Sequence, residues 1–255
     1  MTPDRHPFFA ATYLPKYGRY GQSGLMDLLP RVADMWREDK VKFMDSGQNI
    51  TAHVKGFNII GNSTDTQLDK SRVESGLNTL IHQFDAEYGG FGTAPKFPTP
   101  HNLLFLLNAH ALSLDEQALP MVERTFTNMY EGGIYDHVGH GFSRYSTDKK
   151  WLAPHFAKML YDNALLTITY CEAAQATGNN LYAFIAESIL DYIQREMTNN
   201  EGGFYSAQDA DSEGEEGKYY TWSYDEVLKI LGDDDGKWLC EQYGITHTGN
   251  FEGKN

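Results

Sequence analysis

Side chains able to do chemistry concentrate between residues 132 and 162. Spacing predicts a helix over 155–177, apolar nearly all round through Phe156, Met159, Leu160, Leu165, Leu166 and Ile168. Its first two turns hold His155, Lys158 and Asp162 at i, i+3 and i+7, a single face, with Tyr161 and Asn163 beside them. A helix apolar all round is an interior helix, and a polar stripe on it costs desolvation unless something uses it. The positive end of the helix dipole disfavours imidazolium, which leaves His155 neutral and competent as a base. The bland alternative is a buried hydrogen-bond network that only fixes helix packing.

The stretch before it, Gly132-Gly-Ile-Tyr-Asp-His-Val-Gly-His-Gly-Phe-Ser-Arg-Tyr145, is dense in polar and aromatic types. Aromatic faces with a few carboxylates and an arginine suit a sugar site, because pyranose rings stack on aromatics. Tyr135, His140, Tyr145 and Trp151, with Lys158 and Tyr161, are the expected substrate-binding residues, and Arg144 and Asp136 join His155 and Asp162 as expected catalytic ones. A packed loop with locally satisfied hydroxyls is the competing reading. His137 and His140 with Asp136 lack a third spaced ligand, so no metal is expected there. Asp209-Ala-Asp-Ser-Glu-Gly214 resembles the start of a calcium loop, but Tyr220 stands where the bidentate glutamate belongs. Asp209 and Asp211 are read instead as rim carboxylates that bind hydroxyls. No cofactor is expected.

These residues need a scaffold. Leu25, Leu28, Leu29, Val32, Ala33 and Trp36 recur at helical spacing and predict a helix running to about Met44, preceded by a strand at Phe8–Leu14. That strand has no evident partner. Residues 47–70, rich in Gly, Asn and Ser, read as a linker. From residue 71 onward the periodic segments are helical: 71–84, 101–113, 115–131, 155–177, 179–198, 223–231 and 234–243. Their connections repeat. Glu87-Tyr-Gly-Gly-Phe91, Glu131-Gly-Gly-Ile-Tyr135 and Glu201-Gly-Gly-Phe-Tyr205 share one pattern, and Ala94-Pro-Lys-Phe97 is echoed by Ala153-Pro-His-Phe156, each read as opening a helix. Repeats of this kind mean stacked αα-hairpins that bury their faces on one another.

Composition sets outer bounds. The chain of 255 residues carries 35 acidic and 21 basic side chains, a net charge of −14, with 41% hydrophobic and 13% aromatic residues. This is a globular composition. No Lys/Arg cluster exists and the overall field repels phosphate, so nucleic acid is not an expected partner. No apolar run reaches the roughly 20 residues a bilayer span needs. Met1-Thr-Pro-Asp-Arg-His6 shows no signal-peptide pattern, and two distant cysteines, Cys171 and Cys240, form no C-x-x-C, so a cytoplasmic setting is expected.

Several long strings carry a resemblance: Pro7-Phe-Phe-Ala-Ala-Thr-Tyr13, Gly89-Gly-Phe-Gly-Thr-Ala-Pro-Lys-Phe-Pro98, Trp151-Leu-Ala-Pro-His-Phe156, Lys158-Met-Leu-Tyr-Asp-Asn-Ala164, Gly202-Gly-Phe-Tyr-Ser-Ala-Gln-Asp-Ala-Asp211 and Gly249-Asn-Phe-Glu-Gly253. The chain resembles the spermatogenesis-associated protein 20 / YyaL-like family over nearly its whole length. The resemblance implies a thioredoxin-like domain followed by an (α/α)6 toroid similar to six-hairpin glycosidases and N-acylglucosamine 2-epimerases. The expected fold class is therefore mainly α: a partial toroid over 71–255, preceded by a 47–70 linker and the C-terminal piece of a thioredoxin-like α/β domain over 1–46. The chain then reads as a fragment. It departs from the family pattern at Ser143, where His is usual, and at Ala157, where Glu is usual.

Three functions compete. The first is a carbohydrate-active enzyme, an epimerase or isomerase with His155 as acid or base, Asp162 orienting it and Arg144 polarising a substrate oxygen. Hydrolysis between Asp136 and Asp209 is a variant. The second is a redox or chaperone role in a thioredoxin-like part lying upstream. The third is a non-catalytic sugar- or peptide-binding scaffold. A small molecule, most naturally a sugar, is the expected partner.

Overall fold

A computed structural model describes residues 1–19, 21, 23–58, 70–251 and 253–255. They divide into two compact units, Met1–Leu68 and Asp69–Asn255. The first unit holds α1 (Leu25–Glu38) and α2 (Lys40–Asn58). The expected strand at Phe8–Leu14 is irregular, since no described segment pairs with it. Phe8 instead sets its ring edge-on against Phe43 at 4.7 Å, and His6 Nδ1 lies 2.9 Å from the Thr51 hydroxyl. The first helix ends at Glu38, earlier than the periodicity implied, and a second one occupies residues read as linker up to Asn58. Gly47 suggested a loop there. In fact it lets the N-terminal segment pack closely on the helix: a Cβ on Gly47 would stand 3.0 Å from the His6 Cβ. The rest of that 47–70 stretch, 59–69, lies outside the described residues.

The second unit is a stack of helical hairpins. α3 (Lys70–Gln83) precedes α4 (Pro100–Ala111) and α5 (Ala118–Glu131), which pack as a pair. Next come α6 (Leu160–Thr177) with α7 (Asn180–Glu196), then α8 (Tyr224–Leu231) with α9 (Asp233–Tyr243). α6 also packs along α4, so the hairpins stack side by side. Leu103, Leu106, Val122, Phe126, Leu166, Tyr170, Ile185 and Ile189 are fully buried between them. The rings of Phe126 and Tyr170 stack at 3.8 Å. No helix of the described residues is long and apolar enough to cross a membrane.

Short antiparallel ladders join the helix starts. β1 (Tyr145–Ser146) pairs with β2 (Pro154–His155), Tyr145 opposite His155. β3 (Lys158–Met159) pairs with β4 (Ala207–Gln208), and β5 (Asp211–Ser212) with β6 (Glu215–Glu216). Lys96 bridges to Ser146, which ties the entry of α4 to the same ladder. The expected helix over 155–177 therefore begins at Leu160. His155 and Lys158 lie on extended backbone, and the stripe expected on one helical face does not exist as such. The reason is local pairing: Arg144 N–H donates to the Ala157 carbonyl and Leu160 N–H to that of Ser206. The proline that opens a helix is Pro100, not Pro95 or Pro154.

The glycine-rich connections repeat in three dimensions. Asp85 accepts from the amides of Glu87 and Tyr88, and its other oxygen takes Lys96 Nζ at 2.7 Å, while Nζ also donates to the Gly89 carbonyl at 2.9 Å. Asp136 does the same with the amides of Val138 and Gly139 and with Lys158 Nζ at 2.8 Å, and Nζ donates to the His140 carbonyl at 2.7 Å. An aromatic ring closes each loop. A Cβ on Gly90 would strike Trp151 at 2.5 Å and one on Gly141 would strike Tyr192 at 2.6 Å, both at positive φ. Asn199 makes the third copy with a neutral side chain, accepting from Glu201 and Gly203.

Two stability outcomes follow. Lys96 is wholly buried, so Lys96→Met strands the Asp85 carboxylate and is expected to cost about 3–5 kcal/mol in chemical denaturation. The Tyr170 hydroxyl is buried with no hydrogen-bond partner, so Tyr170→Phe is expected to stabilise by about 1 kcal/mol, read as a raised denaturation midpoint at unchanged slope.

Candidate active site

The loop clamps decide which polar residues are free for chemistry. Burial alone would raise the Asp136 carboxyl. The Lys158 charge and the amides of Gly139 and Val138 outweigh it and hold the group below the usual carboxylate range. Burial pulls the Lys158 ammonium down, against the opposing pull of Asp136. The Lys158 side chain is 2% exposed and lies over the rings of Tyr192 and Tyr220. Asp136 and Lys158, expected in catalysis and binding, are thus each other's partners.

Trp151 and Tyr135, expected as sugar-stacking faces, are buried in the core. The Trp151 indole N–H donates to the Tyr88 carbonyl at 2.8 Å. Tyr135 packs against Tyr130, His137 and Phe142, and its hydroxyl lies 3.3 Å from His140 Nδ1. Asp209, Asp211 and Tyr161 are exposed, and Asp209 turns back onto the Asp211 amide. Among the described residues no group of three or more His, Cys, Asp or Glu side chains is placed to hold a metal ion.

Arg144, His155 and Asp162 behave differently. Each buries a polar atom without a hydrogen-bond partner: Arg144 Nε, His155 Nδ1 and Asp162 Oδ2. Such orphans are rare, because each forfeits its hydration for nothing in return. Arg144 leads into β1, and Tyr145, the next residue, stacks its ring on that of His155 at 4.8 Å and 24°. Asp162 sits in the first turn of α6. Its burial pushes the carboxyl up to about 6 against the pull of the nearby Arg144 charge. A group titrating there changes charge across neutral pH and can give or take a proton.

The expected orientation of His155 by Asp162 is not made through a hydrogen bond, since His155 Nδ1 and Asp162 Oδ2 are both unpartnered. The carboxylate nearest the ring is instead that of Glu216, on β6, 3.8 Å from His155 Nε2. Sequence reasoning passed over Glu216. It lies in the acidic run that drew attention to Asp209 and Asp211, and only hairpin geometry selects which acid reaches the histidine. Cavities lie elsewhere in this unit, two of them walled by residues of the glycine-rich loop before Arg144. One, of about 570 Å³, has Asp136, Tyr219, Tyr220 and Trp222 in its wall; the other, of about 390 Å³, has His137, Phe156 and Phe251. Arg144, His155 and Asp162 line neither.

The hairpin stack and its solved neighbours define the class: a mainly helical protein on the α/α-toroid plan, with a thioredoxin-like match at the N-terminus. Cellobiose 2-epimerase from Spirochaeta thermophila DSM 6192 superposes with a TM-score of 0.50 at 18% identity, over 67% of this chain and 51% of that one. A family model described as a protein of unknown function, DUF255 (Thioredox_DsbH), matches residues 1–55. The chain is homologous to spermatogenesis-associated protein 20. It is 38% identical to the Homo sapiens protein over 98% of this chain and 35% of that protein, and equally close to the Mus musculus protein over 34% of its length. The chain thus spans about a third of the length of these relatives.

The raised Asp162 carboxyl makes the fold pH-sensitive. A folded-state value of about 6 lies above the ordinary aspartate value of 3.8, so the contribution is full below about 4 and is lost as pH rises through 6. Asp162→Asn is expected to raise the melting temperature at pH 7.5 relative to the parent and to leave it nearly unchanged at pH 3.5, measured by thermal denaturation at both pH values.

Proposed function

We propose that the chain is carbohydrate-active, an epimerase or isomerase of the toroid type, with Arg144, His155 and Asp162 as its acid–base site. One observation carries the reading: three buried polar atoms on neighbouring elements, one of them cationic and one titrating near neutrality, are left without partners. The fold shared with a cellobiose 2-epimerase supports it as analogy of scaffold.

Inverting a carbon beside a carbonyl requires a base to remove its proton and an acid to return one on the opposite face. His155 Nδ1 takes the proton from C2 of the open-chain sugar. The electron pair moves onto the carbonyl oxygen, and the Arg144 guanidinium holds the enolate that forms. Asp162, in its protonated form, delivers a proton to the other face. Both groups then exchange protons with water. Glu216, beside Nε2, favours the tautomer with its proton on Nε2, which leaves Nδ1 free as the base.

A binding-only reading draws on Ser143 and Ala157, which replace reactive types of the resembling family, and on the aromatic wall of the 570 Å³ cavity. A dithiol role gains nothing from Cys171 and Cys240, which are both free and sit on α6 and α9.

The test is proton NMR of the protein in D2O with a panel of mono- and disaccharides, read for deuterium at C2. Uptake by the parent is expected, with a fall of about 100-fold or more in His155→Ala and Asp162→Asn. Binding of a sugar without deuterium uptake, unaltered in His155→Ala, would establish the scaffold reading instead.

A further inference from the structure

Two residues ahead of α4 have unusual surroundings that the acid–base chemistry does not use. Phe97 keeps 41% of its surface exposed, yet its ring lies 4.7 Å from that of Tyr145, which stacks in turn on His155. The three rings form a continuous row that begins at the proposed base and ends on a partly exposed phenylalanine ring. Thr99 sits at the N-cap of α4, where a threonine ordinarily adopts extended backbone and its hydroxyl caps the helix. Here its backbone is left-handed, φ 43° and ψ 58°, and its side chain makes no cap hydrogen bond. A β-branched residue in that region is a true outlier. Its hydroxyl oxygen is buried without a partner, as are the three orphan atoms of the proposed site. Strain of this kind persists where the surroundings enforce it, and it clusters at ligand sites. The bridge from Lys96 to Ser146 and the packing of α4 along α6 hold this segment against the elements that carry Arg144, His155 and Asp162.

We propose that Phe97 is an outer platform beside this site, with Tyr145 between it and His155, on which the apolar face of a pyranose ring other than the reacting one rests, and that the Thr99 hydroxyl pairs with a hydroxyl of that same ligand. This rests on the carbohydrate reading above and names the residues that would set its preference. Binding by ring stacking needs a flat face of C–H groups and no charge, so neutral sugars are the expected class. An exposed phenylalanine packed on Tyr145 contributes through area removed from water on binding.

The experiment is isothermal titration calorimetry with glucose, mannose, N-acetylglucosamine and cellobiose as probes. Binding of at least one probe by the parent is expected, weakened roughly tenfold in Phe97→Ala and restored in Phe97→Trp. Thr99→Val keeps the side-chain shape and removes the orphan hydroxyl. It is expected to weaken binding while leaving the melting temperature equal or higher, a combination that a purely structural role does not produce. Arg144→Gln serves as the control for the site itself. Parent-like affinity in Phe97→Ala and Thr99→Val, with binding lost in Arg144→Gln, would overturn the platform and leave the site standing. A parent that binds none of the four probes would overturn both.

Discussion

The burial of a lysine ammonium against an aspartate at two of the three glycine-rich connections is the constraint on which the toroid unit depends. An ammonium out of water is tolerable only when its charge and its donors are matched, and Lys158 reaches Asp136 and the His140 carbonyl together from extended backbone. That requirement delays α6 to Leu160, keeps β2 and β3 extended, and so places Arg144 and His155 across a ladder instead of on a helical face. Lys96 and Asp85 repeat the device at the entry to α4. Asn199 caps the third loop with a neutral amide, and no buried ammonium is paired with it among the described residues.

This clamp also sorts the polar residues by what they are free to do. Asp136, Lys158, Tyr135 and Trp151 spend their donors, acceptors and rings on the architecture. Arg144, His155 and Asp162 do not, and the polar atoms they bury without partners make the fold less stable than it need be. The same segment thus closes its loops with fully matched polar groups at Asp136 and Lys158 and leaves polar atoms of Arg144, His155 and Asp162 unmatched.

Helical periodicity was legible in the sequence wherever an apolar stripe repeats over two turns or more, and for that reason α3, α4, α5, α7, α8 and α9 fall within a few residues of expectation. The Gly-Gly repeats were legible as a recurring unit. Their meaning was not, because the aspartate and lysine of each clamp stand 11 residues apart in one copy and 22 in the other. A run such as His155–Met159 fits a helical and an extended spacing equally well, and its state is settled by partners at Arg144, Ser206 and Gln208, all distant in sequence. The helix at 40–58 was missed for the opposite reason: Gly47 marks close packing there, not a turn.

By itself the amino-acid sequence determined the mainly helical character and the helical hairpins, since these depend on residue type and local period, while its longer strings carried the family likeness that implied a toroid. Only the tertiary structure decided which acid meets His155, which polar residues are consumed by the loop clamps, and which are left over. Hydrogen-bond satisfaction and desolvation are properties of a residue's neighbours in space, and Glu216 comes beside His155 only through the chain's return after α7.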